Sequence, residues 1–345
     1  PFVFSPFNTP NVLLNDGVTP SFGGYGDFEI NQETNSYAVY FNTSYDLTDD
    51  LSIGGGLRYS KDEKDADAIF PTFAERKYVS AEFDAVTWDI NASYQISNNM
   101  NVYGQIQKGY QTGGFPPRPF GGPDQFVSFD ETKAVNYEMG LKGQVHENVS
   151  MMLAVFVTDY TDLALPFSDP TAGGGFVTIV ENAGQSKAQG IELETTVAIT
   201  DDFTIRSAVG YLDSEITEVD AGVQGIGKGD SPALTPRWTV MVAPSYFMDL
   251  DSGATVALNA NYSYRSEMQG QSVYSQSETI DSRELVGFNI SYTNAYGDME
   301  VTLYGENVLN EVYDVGRLQQ SGFVGVMRSN DRSEFGLKFK KDFEL

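Results

Sequence analysis

The sequence predicts an all-β fold, a transmembrane antiparallel β-barrel with about thirteen strands in this chain. Three observations predict it. Long segments alternate apolar and polar residues with a period of two, so each strand has one oily face and one wet face. Short polar turns alternate strictly with longer loops along the whole chain. The strands also run about 12–20 residues, beyond the ~5–6 usual in soluble sheets. A tilted strand crosses a bilayer in ~9–11 residues, and its extension can project beyond. A soluble sandwich has no reason to place every short turn at one end. A membrane barrel does, with short turns on the periplasmic side and long loops outside.

The elements follow in order. Residues 1–33, with Pro1, Pro6, Pro10 and Pro20, read as an extended leading loop, and residues 34–345 as the barrel portion. Asn35–Thr48 and Leu51–Ser60 pair across the turn at Asp49-Asp50. Lys61–Lys77 reads as a charged loop. Tyr78–Ser97 places Val86, Trp88, Ile90, Ala92, Tyr94 and Ile96 on one face, and turns at Asn98-Asn99 into Met100–Thr112. A Gly- and Pro-rich loop leads to Glu131–Val145, the turn 146–148 and Val149–Leu165. Phe176–Thr200 and Phe203–Glu218 flank Asp201-Asp202. Pro232–Leu250 and Ala254–Gly270 flank Asp251-Ser252-Gly253. Leu285–Tyr313 then supplies two alternating strands around Gly297-Asp298. A loop at 314–327 precedes a last strand, Arg328–Phe343, with Phe335, Leu337, Phe339 and Phe343 on one face. Tyr45, Tyr94, Tyr103, Trp238, Tyr246, Tyr262 and Tyr292 lie toward strand ends, where an interfacial girdle belongs.

Composition narrows the function. No apolar run approaches the ~20 residues of a membrane helix; the longest is Met151–Val157. A net charge of −27, with 48 acidic against 21 basic residues, excludes nucleic acid as a partner. The single histidine, His146, falls in a short turn, which excludes multi-histidine metal sites and leaves catalysis without machinery. Neither an enzyme, a metal centre nor a cofactor is expected. Starting at Pro1 without a leader, the chain reads as a processed or truncated product.

Four segments carry a resemblance: KGYQTGGF (108–115), ETKAVNYEMGLKG (131–143), VENAGQSKAQGIELE (180–194) and LYGENVLNEVY (303–313). In this order and spacing they resemble the C-terminal half of TonB-dependent outer-membrane receptors, from about Asn35 onward. That resemblance implies a 22-stranded barrel around an N-terminal plug with a TonB-binding box before it. Neither plug nor box is found among these residues, so the chain is expected to be the C-terminal portion of the barrel. Its implied partners are outer-membrane lipid and lipopolysaccharide, the remaining N-terminal strands, the plug, TonB through that plug, and a small-molecule ligand. The implied function is active import of a scarce, bulky nutrient across the bacterial outer membrane: an iron–siderophore complex first, with cobalamin or a glycan as competing classes. The alternative is a passive pore or surface-binding barrel without energy coupling.

Candidate ligand contacts lie in the outer loops. Phe115, Arg118 and Phe120, in a Pro-rich loop, combine aromatics with a cation; the competing reading is a loop packed on its own rings. Tyr274, Arg283, Arg317 and Arg328 sit in or beside later loops. Lumen-facing Glu192, Glu194, Glu300 and Glu306 are expected to pair with Arg206, Lys142 or Lys338, or to touch the plug. Asp62, Glu63, Asp65 and Asp67 lack the closing glutamate and turn glycine of a Ca²⁺ loop and read as solvated. Gly222–Gly229 nearly matches a phosphate loop, but Gly follows Lys228 and no helix does.

Overall fold

A computed structural model describes residues 29–69, 74–116, 123–168, 178–221, 223, 226–270, 279–320, 323–329 and 331–343. Thirteen strands form one antiparallel sheet in chain order. They are β1 (Glu29–Asp46), β2 (Leu51–Ile69), β3 (Lys77–Ser97), β4 (Met100–Gln111), β5 (Thr132–His146), β6 (Val149–Ser168), β7 (Thr178–Ala198) and β8 (Phe203–Val219), then β9 (Trp238–Asp249), β10 (Thr255–Arg265), β13 (Arg283–Thr293), β14 (Met299–Glu306) and β17 (Glu334–Lys341). Two hairpins stand apart: β11 (Met268–Gln269) with β12 (Thr279–Ile280), and β15 (Asp314–Gln320) with β16 (Phe323–Arg328). Within the described residues no ladder joins β17 back to β1.

The turns fall where the sequence places them, and the reasons are local. Gly297 takes φ +72°, open to glycine without strain. The Asn294 side chain accepts from the backbone N–H groups of Asp298 (3.2 Å) and Met299 (3.1 Å) and closes the same turn. Pro244 sits inside β9, and the β9–β10 ladder skips Ala243 and Pro244, because proline has no N–H to give.

Several boundaries differ from expectation. β1 starts at Glu29, inside the segment read as leading loop; residues 1–28 lie outside the described residues. The charged stretch after Ser60 is strand to Ile69, not loop. Its acids divide between two faces. Asp62 and Lys64 point inward with Ala66 and Ala68, while Glu63 meets Lys61, Asp65 accepts from Ser80 and Asp67 meets Arg76. The last strand begins at Glu334, because Asp314–Arg328 closes its own hairpin first.

One face of the sheet is oily and uncovered. A ladder row runs Phe203, Tyr246, Leu258, Ile290, Leu303, Leu337; another runs Leu141, Leu153, Leu193, Val209, Val240. Ile90 is 63% exposed and Leu337 70%, and no second sheet lies on them. An apolar face this large is far beyond what a water-exposed surface carries. It spans Val86 to Ile96 on β3 and Ile191 on β7 to Ile199 just past its end, 11 and 9 residues by position, the length that crosses a bilayer.

Above Tyr59 and Val86 the polarity inverts. The outer face becomes Lys61–Asp84 and Glu63–Glu82, while the inner face gains Ala66, Ala68, Phe83 and Ala85 beside buried Asp62 and Lys64. There the buried cluster of Ala66, Ala68, Phe115 and Phe126 forms, with Phe126 fully buried. The oily face therefore ends near Tyr59, and the strands continue as a wall in water. Of the expected girdle, Tyr45, Tyr94, Trp238, Tyr246 and Tyr292 are exposed on the oily face. Tyr103 is not among them. It lies on the polar face, where its hydroxyl donates to Glu138 (2.8 Å) and its ring covers Gly140.

Candidate functional site

The polar face is the other half of the design, and its loop end carries the charged chemistry. Asn42, Asp89, Asn91, Gln105, Glu138, Glu192 and Tyr304 alternate with the oily residues. Glu192, Glu194, Glu300 and Glu306 make no ion pair within the described residues, so the expected pairing with Arg206, Lys142 or Lys338 is not formed. The register sets Arg206 against Thr196 and Lys142 against Met152, and Lys338 lies over the Tyr304 ring at 4.4 Å.

The segments that carried the sequence resemblance act as clamps. Asn182 accepts from the Asp130 N–H (2.6 Å) and donates to the carbonyls of Asp130 (2.9 Å) and Asp162 (2.8 Å), tying a loop to β6. Asn307, at φ +43°, donates to the carbonyls of Glu311 (2.9 Å) and Asp331 (2.7 Å) and accepts from the Glu311 N–H (2.9 Å). Gly113 leaves no room for a Cβ, which would sit 2.2 Å from the Phe129 carbonyl, and its own carbonyl receives Lys64 Nζ at 2.6 Å.

Two clusters face the loop end. In the first, Asp62 accepts from Ser36 (2.6 Å) and Tyr110 (3.1 Å), and Lys64 lies over the Phe83 ring at 5.6 Å. Phe115 is buried beside it, its ring 5.8 Å from Phe126, which is the packed-loop arrangement. Arg118 and Phe120 lie outside the described residues, as does Tyr274.

The second cluster is built by β10, β13 and the β15–β16 hairpin. Asp314 is buried between two arginines: Arg317 at 2.7 Å and Arg328 at 2.9 Å. Arg317 also reaches Asp281 at 3.5 Å. Thus Arg317, a predicted contact, is engaged in holding its own hairpin. Arg265 and Arg283 face each other directly across β10 and β13. Arg283 stacks on Tyr313 at 4.6 Å. Arg265 gives its Nη2 to the Asp281 carbonyl at 3.0 Å and its Nη1 to Met268 Sδ at 3.4 Å. Below them an open cavity of ≈ 650 Å³ is lined by Asn261, Ser263, Gly287, Tyr313 and Glu334. Sequence reading noted Arg283 but missed Arg265. The available signal was that Arg265 lies toward the loop end of the predicted strand 254–270 and Arg283 just before the next, at Leu285.

Burial works to raise the Asp314 carboxyl, but Arg328 and Arg317 outweigh it and hold it below the ordinary aspartate value. A depressed carboxylate contributes stability that is full above its unfolded value, near ~3.9, and lost as pH falls through the lower folded one. Amide protection of the 314–328 hairpin is therefore expected to stay flat from about pH 7 to 5 and to drop below about pH 4. Asp314→Asn removes that step. A hairpin equally protected at pH 7 and pH 3 in detergent, by hydrogen exchange, contradicts the ion-pair account.

A single sheet with a bilayer-length oily face and a polar opposite face is the wall of an outer-membrane β-barrel. The family model "TonB dependent receptor-like, beta-barrel" matches residues 4–310, and the chain belongs to that family. Its members are outer-membrane proteins of Gram-negative bacteria, and that is where this chain resides. The pesticin receptor of Yersinia pestis is 26% identical over 263 residues, covering 69% of this chain and 38% of that protein. A probable TonB-dependent siderophore receptor, PiuA, of Acinetobacter baumannii is 26% identical over 201 residues, covering 56% and 25%. The crystal structure of the ferric yersiniabactin uptake receptor FyuA from Y. pestis superposes with TM-score 0.76 at 18% identity, covering 92% of this chain and 47% of that one. The chain thus spans a quarter to a half of the proteins it matches.

Proposed function

We propose that this chain supplies the C-terminal wall and outer loops of an outer-membrane importer for iron–siderophore-type chelates, driven through TonB. The observation that carries the reading is the barrel-model match over most of the chain, joined to relatives described as siderophore receptors. The unpaired acids on the polar face, Glu192, Glu194, Glu300 and Glu306, face the lumen and suit contact with a plug. The open outer strands β1 and β17 require further strands, since unpaired backbone is not tolerated in lipid. Lipid and lipopolysaccharide surround the oily face. Arg118, Phe120 and Tyr274 are ligand contacts on their chemistry, with Phe115 and Arg317 shaping the loops around them.

The test is uptake of ⁵⁵Fe-labelled siderophores by cells whose only iron receptor is the full-length protein. Accumulation of at least one chelate, abolished by deleting tonB, is the expected result. Uptake that persists without TonB identifies a passive pore, and no iron uptake beside saturable cobalamin or glycan uptake moves the cargo class.

A further inference from the structure

We infer that the Arg265–Arg283 pair is a receptor for anionic oxygens, and that the imported chelate presents a carboxylate or phenolate to it. This rests on the import reading above and specifies the charge of the cargo. Like charges directly opposite on adjacent strands destabilise a sheet, and β10–β13 carries such a pair at its loop end. Among the described residues no carboxylate pairs with either guanidinium. Asp281 and Asp314, the acids of the cluster, are taken by Arg317 and Arg328, and Arg265 reaches the backbone carbonyl of Asp281 and Met268 Sδ but no carboxylate. Acid is not scarce, with 48 acidic residues against 21 basic ones in the chain.

Both Nε atoms are shut off from solvent and have no hydrogen-bond partner. Arg283 donates to no acceptor within the described residues, although a guanidinium carries five donors. Buried donors without acceptors are costly, and the Nη groups of Arg283, which are not among the atoms shut off, are the donors an anion can meet. Tyr313 holds the Arg283 plane by stacking, so its fork is oriented before anything binds. Two guanidinium forks next to Ser263, Leu285 and Tyr313, which line the cavity, match a planar, two-oxygen anion better than a point charge does. Arg265 shares its face of β10 with Asn259, Asn261 and Ser263, and Arg283 shares its face of β13 with Gly287 and Asn289, the polar face, so the anion enters from the lumen side.

The experiment uses the purified full-length receptor in detergent. Equilibrium binding is measured for ferric citrate, for iron-free citrate, and for a cationic ferric trihydroxamate. Saturable binding of citrate or its iron complex is expected, with the cationic trihydroxamate bound at least about tenfold more weakly and the Arg265→Gln/Arg283→Gln variant weaker for citrate by about tenfold or more. Arg206→Gln, at the short-turn end of β8 opposite Thr196, leaves citrate binding within about twofold of wild type. Arg283→Lys retains part of the binding, because charge survives while the fork is lost. Wild-type protein that binds neither citrate species, or a double variant that binds as wild type does, overturns the site. Citrate binding by wild type without TonB-dependent iron uptake in cells overturns the import reading and leaves the site standing.

Discussion

Ile90→Arg is expected to destabilise the full receptor in lipid vesicles by about 2–4 kcal/mol, the cost of an arginine near the bilayer midplane of a barrel strand. Ile90 lies midway along the Val86–Ile96 row and is 63% exposed, between Gly55 and Ile106 in register. In a water-soluble protein a substitution at so exposed a position costs less than about 0.5 kcal/mol. The size of the effect therefore reports the solvent on that face. Asn91→Arg, one residue along, points to the polar face beside Asp89 and is expected to stay within about 1 kcal/mol of wild type. Urea titration of vesicle-folded protein, followed by heat-modifiable gel mobility, reads both. Equal tolerance of the two substitutions would remove the membrane assignment, since only an oily medium separates neighbours one residue apart.

Phe126→Ala is the second large effect. Phe126 is fully buried among Ala66, Ala68 and Phe115, and it anchors the loop that follows β4 to the inner face of β2. Deleting a buried ring of this size costs about 3–5 kcal/mol where the site cannot collapse. Here the loss is local, because the cluster lies above the oily face and the spanning ladders do not depend on it. Hydrogen exchange at 113–116 and 123–130 is expected to rise steeply, while exchange in β13 and β14 stays at the wild-type rate. Unchanged protection of the loop would mean that its hydrogen bonds, such as the Gly114–Phe129 bridge at 2.9 Å and 3.1 Å, suffice without the ring.

Period-two alternation located the thirteen strands because every spanning segment must show lipid one face and the lumen the other. It misjudged Lys61–Ile69, where both faces carry polar groups and alternation carries no signal. That stretch is strand because β1 and β3 offer it ladders on both sides, from Glu29↔Ile69 to Ala68↔Lys77. The family segments were legible as words, but their role was not. Asn182 and Asn307 hold loops through carbonyls contributed by residues up to 52 positions away. Tyr103 was misplaced for a similar reason: aromatic character marks a girdle residue only when the parity of its strand points it outward.

The sequence by itself determined the barrel wall, its orientation of turns and loops, and the family, because strand parity and turn chemistry are local properties. Tertiary structure alone decided which charges meet. Cross-strand register turned Arg317 and Arg328 into clasps on Asp314 and left Arg265 opposite Arg283 with no acid between them. Register depends on where ladders begin, so residues 18 apart in the chain become neighbours by pairing and not by spacing.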